Sequence, residues 1–274
     1  MAIEPPPKPV VPVKKPEPGP VTPDRAKEGQ LKKRASRLIR AGEIAGMVQD
    51  EGTIERRFGE AIPGTTRAPG EVHFPPNSGA TLGFGHDIGQ ASAREIDDFY
   101  GPVGPDGPRR ELIPKAQRET LKTFVGQKRV KGGPGSAAFI ATDGIKLSYK
   151  DGTEVFEKHL LPKYIDAARK AHPGFDDLPY QQQAAIATRV YMRGPAVNKD
   201  EKAKGAQAWV QLHEAIFKRD TLAVVAALKN YEAVHKDSAK PSSTQGRARA
   251  NTALALEGHM STQETGVVPR SPIG

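Results

Sequence analysis

The chain of 274 residues contains no cysteine and carries a formal net charge of +9, from 41 Lys and Arg against 32 Asp and Glu. Without cysteine it can form no disulfide, no thiolate metal site and no cysteine nucleophile, and its length is sufficient to bury a core without such cross-links. A positive net charge favours an anionic partner, which could be a nucleic acid, a membrane surface or an acidic cell-envelope polymer.

The positive charge is concentrated near the N-terminus. Residues 1–40 contain ten Lys and Arg and four acids, a net +6, so the remainder of the chain carries only +3. This distribution favours a nearly balanced domain with a basic leader, and we expect no nucleic-acid partner. The sequence has no apolar run near the roughly 20 residues of a membrane span, and its first residues lack the apolar segment of a secretory signal. We therefore expect synthesis in the cytoplasm and no membrane insertion.

The segment 1–23 is dominated by proline, which occupies nine of its positions. Proline at this density prevents helices and sheet ladders and favours an extended polyproline conformation. We interpret 1–23 as a linker or docking arm.

An amphipathic helix is predicted after Asp24, a suitable N-cap residue. The predicted apolar face contains Leu31, Ala35, Leu38, Gly42, Ala45 and Val48. We expect Gly52 to end this helix just after Glu51. A carboxylate at the negative end of a helix dipole has a raised pKa, which suits a general acid. On position alone, an acid at a helix end followed by glycine is more often an ordinary surface residue.

Helical periodicity disappears between residues 52 and 89, where glycine and proline predict turns and short strands. Residues 78–90 read Ser-Gly-Ala-Thr-Leu-Gly-Phe-Gly-His-Asp-Ile-Gly-Gln. A short strand here would place Thr81 and Asp87 on one face, and its glycines would let a flat, hydroxyl-rich ligand approach. The alternative is a glycine-rich hairpin in which Asp87 only caps a turn or the helix that begins near Ser92.

Helical patterns return after residue 91, and the whole chain is predicted to be α+β and mostly helical. The predicted helices are 92–100, 113–125, 152–170 with a break at Pro162, 178–191, 205–219, 222–235 and 247–256. Segments 101–108 and 131–136 are predicted to be loops, and 258–274 a flexible tail.

Glu51-Gly52 together with the string 78–90 resembles the phage-type lysozymes, most closely the pesticin-like muramidase branch of bacteriocins and type VI secretion effectors. Further matching segments are 160–164, 173–179, 190–194 and 246–249. The resemblance implies a lysozyme-like domain over residues 24–257, with a small β-hairpin lobe and a larger helical lobe.

The same resemblance implies a glycoside hydrolase that cleaves the β-1,4 bond between N-acetylmuramic acid and N-acetylglucosamine with inversion. Glu51 would be the general acid, and Thr81 and Asp87 would hold or activate the attacking water. The residues implied to contact the glycan are Gly83, Phe84, Gly85, His86, Tyr191 and Arg193. No metal and no other cofactor is implied.

The sequence departs from the family pattern in two places. Pro75 stands where ordinary phage lysozymes have their second acid, six residues before Thr81, so Asp87 would take that role. The motif Tyr-Asn-x-Gly is replaced by the residues 191–194, Tyr-Met-Arg-Gly. Glu55 and Glu60 are rival acids near Glu51.

A muramidase without a secretory signal needs another route to its substrate. The expected protein is a monomer that acts on peptidoglycan in the periplasm of a target cell, after delivery by a secretion system or release through a holin. The proline-rich arm would dock onto a secretion component, and an immunity protein would protect the producer. This arm favours an antibacterial effector over a phage endolysin of the same activity. A non-catalytic peptidoglycan-binding protein of lysozyme fold is the alternative from a different class.

Overall fold

The computed structural model describes most of the chain and shows a mostly helical protein with two short antiparallel strand pairs. The predicted α+β class is confirmed at this level. The described residues are 25–45, 51–61, 67–75, 78–104, 107–108, 110–194, 206–236 and 243–265. The predicted arm, 1–23, and the predicted N-cap Asp24 lie outside them.

Two helices replace the single predicted N-terminal helix. Helix α1 spans Arg25–Ala45 and helix α2 spans Glu51–Phe58. Ile54 and Phe58 lie one turn apart on α2 and are buried. Their burial stabilises α2 by more than the roughly 1 kcal/mol that a glycine costs in a helix. The prediction that Gly52 ends the first helix is therefore wrong, because Glu51 begins the second.

The glycine-rich string forms a hairpin and not a single strand. Strand β1 is Thr81–Leu82 and strand β2 is His86–Asp87, with Thr81 paired to Asp87. The turn between them contains Gly83 at φ 64° and Gly85 at φ 76°. Glycine adopts this left-handed backbone without strain, so both positions require it.

A second strand pair and three short helices follow the hairpin. Helix α3, Ala93–Tyr100, begins with a capping box, in which the Ser92 side chain and the Glu95 side chain each accept a hydrogen bond from the other's backbone N–H. Strands β3, Val103–Gly104, and β4, Gly107–Pro108, form within the predicted loop 101–108. Helix α4 is Lys115–Lys122 and helix α5 is Ala137–Ala141.

One long helical stretch spans residues 149–171. It consists of α6, Tyr149–Val155, a π-helical turn, Phe156–Leu160, and α7, Leu161–Ala171. Pro162, the predicted break, lies in the first turn of α7, where the π-helical turn passes into α-helix without interruption.

The C-terminal half is a cluster of helices around a buried central one. Helix α8 is Tyr180–Arg193, α9 is Ala206–Phe217, α10 is Thr221–Lys236 and α11 is Ser243–Thr265. Helix α8 packs against α1, α7 and α11. Its Arg189 lies between two aromatic rings, 4.4 Å from the centre of Trp209 and 4.1 Å from that of Tyr231. No helix in the described ranges is long and apolar enough to cross a bilayer.

The predicted flexible tail, 258–274, overlaps helix α11 and is wrong for residues 258–265. Helix α11 is held here by contacts with other helices. Thr221 Oγ1 lies 2.8 Å from His259 Nδ1, and Gly258 packs against the side chains of Gln181 and Gln182. Residues 266–274 lie outside the described part of the chain.

Candidate active site

The hairpin brings the predicted Thr81 and Asp87 together. They face each other directly across the strand pair. Ser78 Oγ donates a hydrogen bond of 2.6 Å to Asp87 Oδ2 and lies 3.5 Å from Thr81 Oγ1. Gln90 Nε2 donates a second bond, of 2.7 Å, to the same carboxylate oxygen. Ser78 and Gln90 belong to the recognised string but were given no role from sequence, although each fixes the orientation of Asp87.

The second oxygen of Asp87, Oδ1, is buried and accepts no hydrogen bond from any described residue. Buried carboxylate oxygens normally have partners. Asp87 is half-buried, and its Oδ1 faces Gly79 and Gly89 on the inner side of the hairpin.

Gly79 and Gly89 provide room for the chain's own backbone. A Cβ atom on Gly79 would lie 2.6 Å from the Gln127 carbonyl oxygen and 2.8 Å from Asp87 Oδ1. The N–H of Gly126 donates to the Gly89 carbonyl at 3.0 Å. Gly79 and Gly89 are therefore packing positions, because the segment after α4 occupies the space that a side chain would need.

Glu51 is held by two donors from distant parts of the chain. Arg40 Nη1 and the Tyr149 hydroxyl both donate hydrogen bonds to Glu51 Oε1. The Arg40 side chain is only 6% exposed, whereas that of Glu51 is 53% exposed. The pair therefore joins a buried cation to a carboxylate that solvent still reaches.

Arg40 is shared between two acids. Its Nη2 lies 3.6 Å from Oε1 of Glu157, which is on the π-helical turn. Ser36 Oγ connects the two, since it accepts from Arg40 Nε at 3.0 Å and donates to Glu157 Oε1 at 2.6 Å. Arg40, Tyr149 and Glu157 were not identified from sequence, where nothing signals contacts across such separations.

The electrostatic setting of Glu51 differs from the sequence prediction. Partial burial raises the pKa of Glu51, but hydrogen bonds from Arg40 and Tyr149 outweigh it and hold that pKa below its ordinary value. Partial burial and the bond to Glu51 raise the pKa of Tyr149 to about 12. Glu51 also lies in the first turn of α2, where the helix dipole favours a negative charge. The predicted raised pKa of Glu51 is thus wrong for the ligand-free protein.

Phe84 connects the hairpin to the Glu51 group, by which we mean Glu51 with its donors Arg40 and Tyr149. The Phe84 ring centre lies 6.0 Å from that of Tyr149 and 5.7 Å from Arg40 Cζ. Phe84 is in the hairpin turn, three residues from Thr81, a chain distance of at most about 10 Å. Tyr149 and Arg40, which hold Glu51, therefore pack beside the turn of the hairpin, and Asp87 lies at the open end of the same hairpin.

Two of the residues implied to contact the glycan are core residues. Phe84 is 1% exposed and packs against Phe58 with ring centres 4.7 Å apart. His86 is buried, and its Nδ1 lies 2.6 Å from the Tyr100 hydroxyl. Burial, followed by the charge of Lys163, lowers the pKa of His86 to about 4. Their side chains are thus unavailable to a ligand, which corrects the expectation for Phe84 and His86.

The other implied contact residues are placed differently. Gly83 and Gly85 form the hairpin turn. Tyr191 is half-buried, and its ring packs edge-on against Tyr164 at 4.8 Å. Arg193 is the last residue of α8, and its side chain lies outside what the structure describes.

The rival acids do not join the site. Glu55 is exposed on α2, and Glu60 pairs with Arg56 at 3.0 Å. Within the described ranges, no group of three or more His, Asp and Glu side chains is arranged to hold a metal ion.

No protein-family model and no curated protein matches the chain.

Proposed function

We propose that the chain is a peptidoglycan hydrolase, a muramidase with a lysozyme-like fold. The observation that supports this most is the pairing of Thr81 with Asp87 on a hairpin whose turn packs against the Glu51 group. Glycoside hydrolysis with inversion needs an acid on the leaving-group side of the sugar and a water-holding group on the other. Glu51 is the candidate for the first role, and the half-buried Asp87, beside the buried Thr81, is the candidate for the second.

In the proposed reaction, Asp87 and Thr81 orient a water toward the anomeric carbon, and Asp87 accepts its proton. Glu51 gives a proton to the glycosidic oxygen as the bond breaks. Glu51 must be protonated for this step, although Arg40 and Tyr149 favour its ionised form. A glycan lying over the exposed half of Glu51 removes water from it, and loss of water raises the pKa of a carboxyl group.

Purified sacculi provide the direct test. We expect Glu51→Gln and Asp87→Asn each to slow fragment release by about 10²–10⁴-fold, the usual contribution of a general acid or base. Glu55→Gln is the matched control, because Glu55 is an exposed acid of the same helix. Mass analysis identifies the product, since hydrolysis adds a water that a lytic transglycosylase product lacks. Full activity of Glu51→Gln, or loss of activity in Glu55→Gln alone, would overturn the assignment.

One observation favours a second candidate, a non-catalytic peptidoglycan-binding protein. The pair with Arg40 keeps Glu51 ionised, which is unfavourable for an acid catalyst. This candidate predicts binding to sacculi without release of fragments, which the same assay detects.

The biological role that we propose is an antibacterial effector acting in the periplasm. This role depends on the sequence resemblance. Expression with an added secretory signal should lyse a Gram-negative host, while cytoplasmic expression should not. Lysis by neither form, with the protein recovered folded, would argue against the role.

A further inference from the structure

We infer that a basic segment beside the candidate site, residues 126–132, binds the carboxylates of peptidoglycan stem peptides. This inference deepens the proposed function and rests on it. The segment reads Gly-Gln-Lys-Arg-Val-Lys-Gly and runs between helices α4 and α5.

The basic segment is fixed to the hairpin region at both ends. At its start, Gly126 donates its N–H to the Gly89 carbonyl at 3.0 Å. At its end, Gly132 packs so closely on the Phe74 ring that a Cβ atom there would overlap it. Phe74 is in turn packed edge-on against Phe124, with ring centres 6.0 Å apart. The charged residues between these points are therefore held near the hairpin and do not extend freely into solvent.

The segment approaches Asp87 directly. A single Cβ position on Gly79 would touch both the Gln127 carbonyl, at 2.6 Å, and Asp87 Oδ1, at 2.8 Å. The Gln127 carbonyl oxygen and Asp87 Oδ1 thus both lie beside Gly79, at most about 5.4 Å apart from the sum of these two distances. Lys128 follows one peptide unit later, about 3.8 Å along the chain.

The positive charge of the segment is not neutralised by the described residues. Lys128, Arg129 and Lys131 are exposed, and none of them forms an ion pair within the described part of the chain. The sequence contains no acid between Glu119 and Asp143. Lys122, which precedes the segment, is already paired with Asp97 at 2.7 Å and Glu119 at 2.8 Å.

Carboxylates of the stem peptide are the anions that fit this place. The glycan backbone of peptidoglycan is uncharged where its muramic acid carries a peptide, so the negative charge resides on the stems. Each stem leaves the muramic acid next to the bond that the proposed reaction cleaves. A ligand placed with that bond at Asp87 therefore has carboxylates close to the basic segment, where Arg and Lys bind them well.

Binding to sacculi tests the inference without any need for cleavage. The full chain with Glu51→Gln is compared with the same chain carrying Lys128→Ala, Arg129→Ala and Lys131→Ala. The control triple is Lys170→Ala, Lys218→Ala and Lys229→Ala, three exposed lysines on the helical side. Three exposed ion pairs of ordinary strength predict about tenfold weaker binding for the first triple at low salt. We expect the control triple to bind as the parent does. Sacculi whose carboxyl groups have been converted to amides should abolish the difference.

Equal affinity of the two triple variants for sacculi would overturn the inference. It would also be overturned if the basic-segment triple lost as much affinity for amidated sacculi as for untreated sacculi. A loss of affinity for duplex DNA with unchanged affinity for sacculi would instead assign the segment to a polyphosphate ligand. Unfolding temperature shows whether each triple variant is folded. A different result would contradict the hydrolase proposal: the unsubstituted chain would bind sacculi and release no fragments.

Discussion

Gly79→Ala tests whether packing between the basic segment and the hairpin positions Asp87. The new Cβ would lie 2.6 Å from the Gln127 carbonyl oxygen, 2.8 Å from Asp87 Oδ1 and 3.0 Å from Gly89 Cα. Two of these three neighbours are backbone atoms and cannot rotate away. Asp87 can move only by weakening the hydrogen bonds from Ser78 and Gln90.

The size of the effect follows from overpacking. Inserting a methyl group into a close-packed site costs about 1–3 kcal/mol. A loss of about 2 kcal/mol lowers the unfolding temperature of a domain of this size by about 4–8 °C. A displacement of the Asp87 carboxylate by about 1 Å would also slow hydrolysis by about 100-fold.

Gly133→Ala is the matched control, since a Cβ on Gly133 has no heavy atom within 4 Å. This control should leave the unfolding free energy unchanged or raise it by up to about 1 kcal/mol. Thermal unfolding and fragment release from sacculi are measured for both variants. The reasoning is refuted if Gly79→Ala unfolds at the same temperature as Gly133→Ala and hydrolyses at the same rate.

Three further predictions concern the surroundings of the site. Tyr149→Phe removes a donor that lowers the pKa of Glu51, so the alkaline limb of the kcat/KM profile should move to higher pH; an unchanged limb would separate Glu51 from the acid role. Gly152→Ala places a Cβ 2.6 Å from Phe58 Cζ and should lower the urea-unfolding free energy by about 1–3 kcal/mol. Adding Phe58→Leu should recover part of that loss, and strictly additive effects would contradict the contact. Burial lowers the pKa of His86 from 6.5 to about 4, so its stabilising share is complete above pH 6.5 and decreases as the pH falls toward 4. Calorimetry across this range should show a smaller decrease for His86→Gln.

The hairpin illustrates what local sequence can predict. Its turn needs two residues with a left-handed backbone conformation. Glycine adopts that conformation without strain, and Gly83 and Gly85 stand at these two positions. Alternation then places Thr81 and Asp87 on one face. The same alternation cannot say which face is covered, because that depends on Phe58 and Tyr100, which come from other elements. The family resemblance implied that Phe84 and His86 contact the glycan, whereas the structure has both side chains in the core.

The surroundings of Glu51 illustrate what local sequence cannot predict. Its two donors, Arg40 and Tyr149, are 11 and 98 residues away in the chain. Local patterns gave Glu51 a helix C-terminus, where the dipole opposes its charge. In the folded chain it occupies a helix N-terminus and contacts a buried guanidinium. The pKa of Glu51 is therefore lowered and not raised. Tertiary packing determines both its place at the start of α2 and its contact with Arg40, and local sequence shows neither.

The fluorescence of the single tryptophan, Trp209 on helix α9, reports on the packing of the C-terminal helices. Trp209 is buried under Arg189 and touches the edge of His172, at a ring distance of 5.0 Å. A buried indole emits at shorter wavelength than a solvated one, so a red shift in emission follows the opening of helices α8 and α9. Arg189 is on α8 and His172 follows α7, so both of these neighbours of Trp209 lie in the helical part of the described chain. Fluorescence should therefore register unfolding of the helical half and remain silent when a glycan binds.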